Sequence, residues 1–290
     1  MRKASITLIL LILACGSVLC AESDITLPSA AATGYGGYHA AYPDGLSTLF
    51  SNPAGLKSVE SEFRVSELTL GLKGPIFDIT GAVLEMMDSG DTAELTSLLS
   101  GSLYAGADLV GPLYFGFSGN GLGFGLFNDT DIVLKKAGLN VQADIKEQLI
   151  LAGGYAYRIP LPDSWNSTLD VGAVLKGSLC GNVEVIKSVL EFVDFSALSP
   201  DVVMTSPFSF VSAIGIDVGV RYSIGDVFSV GITGIDAFTP SMTTEYGGGI
   251  EDFIDGTGAS DPVTDLIPFK LNVGVLYSPH IGFIDRYITD

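Results

Sequence analysis

The sequence predicts an all-β fold: an antiparallel transmembrane β-barrel, open or incomplete in this chain, with short helices in its loops. Three observations carry that prediction. Apolar and polar residues alternate with period two over many segments, which is the pattern of strands and not of helices. The connections alternate between tight turns and long loops, as the two ends of an outer-membrane barrel do. Hydrophobic residues make up 47% of the chain, yet beyond the N-terminal leader no apolar run reaches the roughly 20 residues of a spanning helix.

The elements follow in order. Met1-Arg2-Lys3 and the apolar run from Ala4 to Leu19 read as a secretory signal peptide over residues 1–21. Its cut falls after Cys20 or Ala21, and Ile12-Leu-Ala-Cys15 offers a lipobox-like alternative. Eight strands are expected near 63–73, 108–118, 121–134, 140–158, 168–179, 209–224, 227–237 and 268–278. The segment from Phe210 shows why: Ile214, Ile216, Val218, Val220, Tyr222 and Ile224 share one face. Ala213, Gly215, Asp217, Gly219, Arg221 and Ser223 share the other.

Alternation alone does not tell inside from outside, because a soluble sandwich alternates too. The connections discriminate better. Gly119-Asn120-Gly121 and Gly225-Asp226 are tight hairpin turns. Residues 159–167, with two prolines, form a moderate turn, and Lys135–Leu139 a short one. Long connections span 74–107, 180–208 and 238–267. The first two are expected to hold helices around Ala82–Leu99 and Val183–Leu198, and the third reads as a surface loop.

Charge and chemistry exclude several classes. Acidic residues outnumber basic ones 33 to 14, so no nucleic-acid partner is expected, since phosphate contacts need Lys and Arg. Three cysteines make neither a disulfide framework nor a metal-type spacing. His39 and His280 are the only histidines, and neither adjoins a nucleophile motif. Gly121, Gly123 and Gly125 form the small-residue face of a strand, not a nucleotide loop. Asp129 and Asp131 lack the glycine and distal Glu of a calcium loop. The expectation is therefore no enzyme, no cofactor and no metal.

The stretch Asp44-Gly-Leu-Ser-Thr-Leu-Phe-Ser-Asn-Pro-Ala-Gly-Leu56 resembles the N-terminal plug of the FadL family, outer-membrane barrels that take up long-chain fatty acids. The match lies in Asp44, Ser47, Thr48, Asn52, Pro53, Ala54 and Gly55, and the likeness covers residues 34–56. Gly45 departs from it, standing where the family often has a second Asp. The resemblance implies a plug over residues 22–62 and a partial barrel over 63–290. It also implies diffusion of fatty acids or other hydrophobic small molecules through a plugged lumen. The partners would be outer-membrane lipid and the barrel-assembly machinery. Lys73, Arg158, Lys176, Arg221 and Lys270 are candidate basic groups of that lumen, each either a partner for a carboxylate ligand or a salt bridge to Asp170, Asp217 or a neighbour. The tail Pro279–Asp290 does not end on the usual aromatic-terminated strand, and the chain reads as C-terminally truncated. A non-transporting surface or scaffold barrel that binds proteins through its acidic loops is the alternative.

Overall fold

The computed structural model describes residues 39–278 apart from 91, 102, 190 and 192–199. The signal-peptide segment 1–21, the N-terminal segment up to residue 38, His280 and the tail Pro279–Asp290 lie outside the described residues.

One antiparallel sheet of eleven strands dominates. The strands are β1 (Glu62–Arg64), β2 (Thr69–Lys73), β3 (Tyr104–Gly119), β4 (Leu122–Ala137), β5 (Asn140–Ile159), β6 (Ser167–Ser188), β7 (Phe208–Ile224), β8 (Phe228–Phe238), β9 (Pro240–Tyr246), β10 (Val263–Leu266) and β11 (Lys270–Tyr277). Helical pieces are α1 (Thr48–Ser51), α2 (Ile76–Ser89), α3 (Ala93–Ser100), α4 (Pro200–Thr205) and α5 (Ile250–Asp255). The main path runs β1-β3-β4-β5-β6-β7-β8-β11. Among the described residues β11 pairs only with β8, while β1 and β2 pair only with β3, so the sheet has two edges.

Three expectations are corrected. The strand expected at 63–73 is broken: β1 pairs with Gly116–Ser118 and β2 with Gly106–Val110, either side of a register shift in β3. The helix expected from Val183 does not start there. Val183, Val185 and Lys187 keep the period-two pattern, and β6 runs on to Ser188, paired with β5 throughout. Residues 192–199 of that helix lie outside the described residues. The expected surface loop 238–267 contains the hairpin β9–β10 with α5 between its strands. Its Gly, Asp and Thr content hid two short strands. β9 continues the pairing of β7 where β8 leaves it, at a corner where Asp236 takes φ 53°.

The two faces of the sheet differ in the opposite sense from a soluble core. On β7, Val218 is 45% exposed and its neighbour Asp217 only 1%. Ile214, Ile216, Val220 and Ile224 are exposed; Ala213, Arg221 and Ser223 are buried. The same inversion runs through Leu151 and Tyr155 on β5, Leu175 and Leu179 on β6, and Leu271, Val273 and Val275 on β11. Water favours the reverse arrangement.

The sheet has a turn end and a loop end. The β3–β4, β5–β6 and β7–β8 turns share the first, and the long connections share the second. Tyr155, Tyr157, Trp165 and Tyr277 are exposed toward the turn end. At the loop end the outer face is covered instead. Ala143, Val183, Val185 and Phe208 pack under Val202, Val203 and Ile250 of α4 and α5. The Phe253 ring lies 5.2 Å from Phe208 and 5.1 Å from Phe210. Ala82 and Leu95, from α2 and α3, cover Val141. The strands are long enough for both zones: β5 has 20 residues and β6 has 22.

Against the inner face lies a compact apolar cluster. Leu46, Leu49, Phe50 and Leu56 meet Val110, Tyr114, Phe127, Ile150 and Val174. Phe127 is fully buried and stands edge-on to Phe50 and Tyr114 at 5.3 and 4.8 Å, the preferred geometry for aromatic pairs. We expect Phe127→Ala to destabilise the fold by about 3–5 kcal/mol and Phe127→Leu by much less. Equilibrium denaturation in detergent measures both.

Candidate functional site

The segment from His39 to Ser61 lies on the polar face. Its local structure follows from its sequence. The Asp44 amide donates to Thr48 Oγ1 at 2.8 Å, and Ser47 Oγ donates back to the Asp44 carbonyl. This closes the turn that leads into α1. Asn52 then breaks the helix with an extended backbone, φ −160° and ψ 106°. Its Oδ1 accepts from the Ala54 amide at 3.0 Å, the usual N-cap bond. Pro53 follows at the first helical position, where a missing N–H is harmless. Asn52 Nδ2 donates to the Ala40 carbonyl at 2.6 Å and to the Val220 carbonyl at 3.2 Å. One buried side chain thus caps a 3-10 turn, closes the segment on itself and ties it to β7.

Gly55 is required for space. A Cβ there would sit 2.7 Å from Thr48 Cγ2 and 3.0 Å from Pro43 Cβ. Gly45, the departure from the family pattern, has its own reason. Its φ is +45°, and a Cβ would strike the Glu62 carboxylate, which accepts from the Leu46 amide at 2.8 Å.

The sheet meets this segment with glycines, where a strand allows another backbone to come close. A Cβ at Gly172 of β6 would lie 2.5 Å from the Pro53 carbonyl carbon. At Gly219 of β7 it would overlap Asn52 Oδ1, and at Gly231 of β8 the Ala40 carbonyl. Gly116 of β3 faces Leu46, Gly123 of β4 faces Leu49 and Leu56, and Gly274 of β11 faces Ala41. From β3 to β11 is six strand spacings, about 29 Å in a flat sheet. One short segment touches both, so the sheet curves around it with the polar face inside.

Charged groups fix the arrangement. Arg158, Asp170 and Arg221 stand in register on β5, β6 and β7. Arg158 makes a bidentate pair with Asp170, at 2.7 and 2.9 Å, the strong geometry for this ion pair. Arg221 Nε donates to the Ala41 carbonyl at 3.0 Å, its Nη1 to Ser58 Oγ at 2.8 Å and its Nη2 to Ser229 Oγ at 3.1 Å. Ser58 Oγ also donates to Asp170 at 3.2 Å. Both ends of the segment are therefore held by this row.

A second group lies toward the loop end. Lys176 Nζ is 2.8 Å from Asp217 and 3.3 Å from Asp236, all three buried. Asp217 also accepts from the Asp236 amide at 2.8 Å, and Thr239 Oγ1 donates to Asp236 at 2.9 Å. Asp236 carried no signal in the sequence. It joins the site through the corner at the end of β8, which local pattern does not reveal.

The remaining candidates stand apart. Lys73 pairs with Asp108 at 2.8 Å at the β2 edge, and Lys270 opens β11 opposite Ile235. Lys73, Arg158, Lys176 and Arg221 thus engage protein partners. Two chambers flank the apolar cluster. One of about 640 Å³ at the turn end is lined by Tyr42, Ser58, Arg158, Asp163, Arg221 and Asp226, among others. One of about 600 Å³ at the loop end is lined largely by polar side chains from β4 to β10. No group of three or more metal-ligating side chains is present among the described residues.

The chain matches no protein-family model, no curated protein and no solved structure. The resemblance of residues 34–56 to the FadL plug therefore rests on those residues alone.

Gly219→Val should disturb the packed segment by about 1–3 kcal/mol, as overpacking does. Gly177→Ala, whose Cβ meets nothing within 4 Å, should be close to neutral. Limited proteolysis reads the difference as faster cleavage within 39–61 in the first variant only. Lys176→Met alone strands two buried carboxylates and should destabilise by about 3–5 kcal/mol. Adding Asp217→Asn and Asp236→Asn should recover most of that in denaturant titrations.

Proposed function

We propose that this chain forms the wall and plug of an outer-membrane β-barrel that takes up long-chain fatty acids or other hydrophobic compounds. The observation that carries the membrane part is the inverted exposure of the sheet, with an apolar outer band and a buried polar inner face. An apolar-out, polar-in wall with aromatic residues toward one rim suits lipid on the outside. Residues 39–61 serve as the plug, and the Arg158–Asp170–Arg221 row as its latch. Passage requires that segment to shift, because its side chains and the apolar cluster fill the middle of the curve. The substrate class comes from the resemblance in Asp44–Leu56, and a fold does not by itself set a substrate.

One observation favours the second reading, a non-transporting surface or scaffold barrel. Both chambers carry charged linings, whereas a fatty-acid tail wants apolar walls.

Two measurements test these readings. Leu151→Arg, on the exposed outer band, should reduce folding into lipid vesicles by about 2–4 kcal/mol. The same change at a water-facing site would stay within about 0.5 kcal/mol. Recovery of the native protein in the soluble periplasmic fraction would remove the membrane proposal. For transport, vesicles holding the refolded protein should take up a fluorescent long-chain fatty acid faster than empty vesicles, and Gly219→Val should speed uptake further. Correct insertion without any uptake would leave the scaffold reading.

A further inference from the structure

We propose that the turn-end chamber is a binding site for a short zwitterion, with a carboxylate held at Arg221 and an ammonium at the mouth. The inference stands on the walls of the chamber and needs neither the membrane nor the transport reading.

The inner wall carries a cation that the fold does not neutralise. Arg158, Asp170 and Arg221 stand in register, two guanidinium groups for one carboxylate. Arg158 takes that carboxylate through Nε and Nη2. Arg221 is only 9% exposed, and its three hydrogen bonds end on neutral oxygens: the Ala41 carbonyl and the hydroxyls of Ser58 and Ser229. No carboxylate lies within 4.0 Å of it among the described residues. Buried charges in proteins are normally paired. A guanidinium has five N–H donors, so Arg221 keeps donors to spare as well as its charge.

The wall beside Arg221 is rich in hydroxyls. One step closer to the turns, Thr168, Ser223 and Ser229 stand in register on β6, β7 and β8, and all three line the chamber. Ser167, also in the lining, presents a buried Oγ that has no hydrogen-bond partner. A guanidinium with free donors, next to an open hydroxyl, is the chemistry that holds an oxyanion. One surplus positive charge matches a carboxylate better than a phosphate monoester, which carries nearly two negative charges at neutral pH.

The mouth has the opposite sign. Asp163, in the connection between β5 and β6, and Asp226, in the turn between β7 and β8, also line the chamber, and both are exposed. Neither forms an ion pair among the described residues. A plain anion is repelled at this rim, and a plain cation meets Arg158 and Arg221 within. A molecule with both charges suits both ends, its ammonium offering three donors to the rim carboxylates. The spacing sets its length. Ile224 closes β7 three residues beyond Arg221, about 10 Å along the strand, and Asp226 follows in the turn. A zwitterion with adjacent charges serves one end only, whereas one with a short chain between them serves both. The chamber, about 640 Å³, is of the size that takes a small organic ligand.

The test is calorimetric titration of the full chain, refolded in detergent, with 6-aminohexanoate. Saturable binding is expected, weakening as salt rises, with hexanoate, hexylamine and glycine each at least tenfold weaker. Arg221→Gln should weaken 6-aminohexanoate at least tenfold, and Ser167→Ala severalfold. Asp163→Asn combined with Asp226→Asn changes two exposed positions and leaves the packed interior alone. That pair should bring 6-aminohexanoate down to the level of hexanoate without weakening hexanoate itself. If Arg221→Gln does not refold, the Ser167 and Asp variants decide. The absence of saturable binding overturns the proposal. So does hexanoate or hexylamine binding as tightly as 6-aminohexanoate, or a double Asp variant that binds 6-aminohexanoate like the native chain.

Discussion

At Gly172, Gly219 and Gly231 residues 40–54 occupy the space that side chains would otherwise fill, with backbone at the first and last and the Asn52 side chain at Gly219. The interior depends on this contact. It lets Asn52 reach the Val220 carbonyl and Thr233 donate to the Ser51 carbonyl at 3.0 Å. It brings Ala41 to Arg221. It also forces the sheet to curve, since strands at both sides of the path touch one short segment. Glycine in a strand weakens it slightly, and here the loss is offset by hydrogen bonds from side chains to backbone carbonyls across the gap.

The ionic groups follow from that enclosure. A polar face turned inward, away from water, leaves charges that need partners close by. Asp170 obtains Arg158 and Ser58, and Lys176 obtains two carboxylates. Such pairs add little net stability over apolar packing, but removing one member is severe. Their value is positional: each pair links neighbouring strands or the segment, and together they hold the curve in one register.

Much of the sheet was legible in the sequence, because period-two alternation survives wherever strands are long. β4, β5 and β7 lie close to their expected bounds. What failed was local. Val183 to Lys187 is apolar enough to pass for a helix, but it pairs with β5. Pro240–Tyr246 hides its strand among Thr, Ser and Gly. The sense of the faces was not legible at all, since a period of two is the same pattern viewed from either side; the exposure of Val218 against Asp217 decides it. Of the site, the small-residue face at Gly123 and the acidic neighbours Asp170 and Asp217 could be read in advance. Asp236 could not, because its place depends on a corner with a left-handed backbone angle.

The length of β5 and β6 gives the molecule two outer surfaces. A membrane crossing takes about 9–11 tilted residues, and these strands have 20 and 22. At the loop end their outer face is clad by α4 and α5. That cladding and residues 39–61 rest on opposite faces of the same unbroken strands. Single strands thus carry both the helical cover of the loop end and the segment inside the curve.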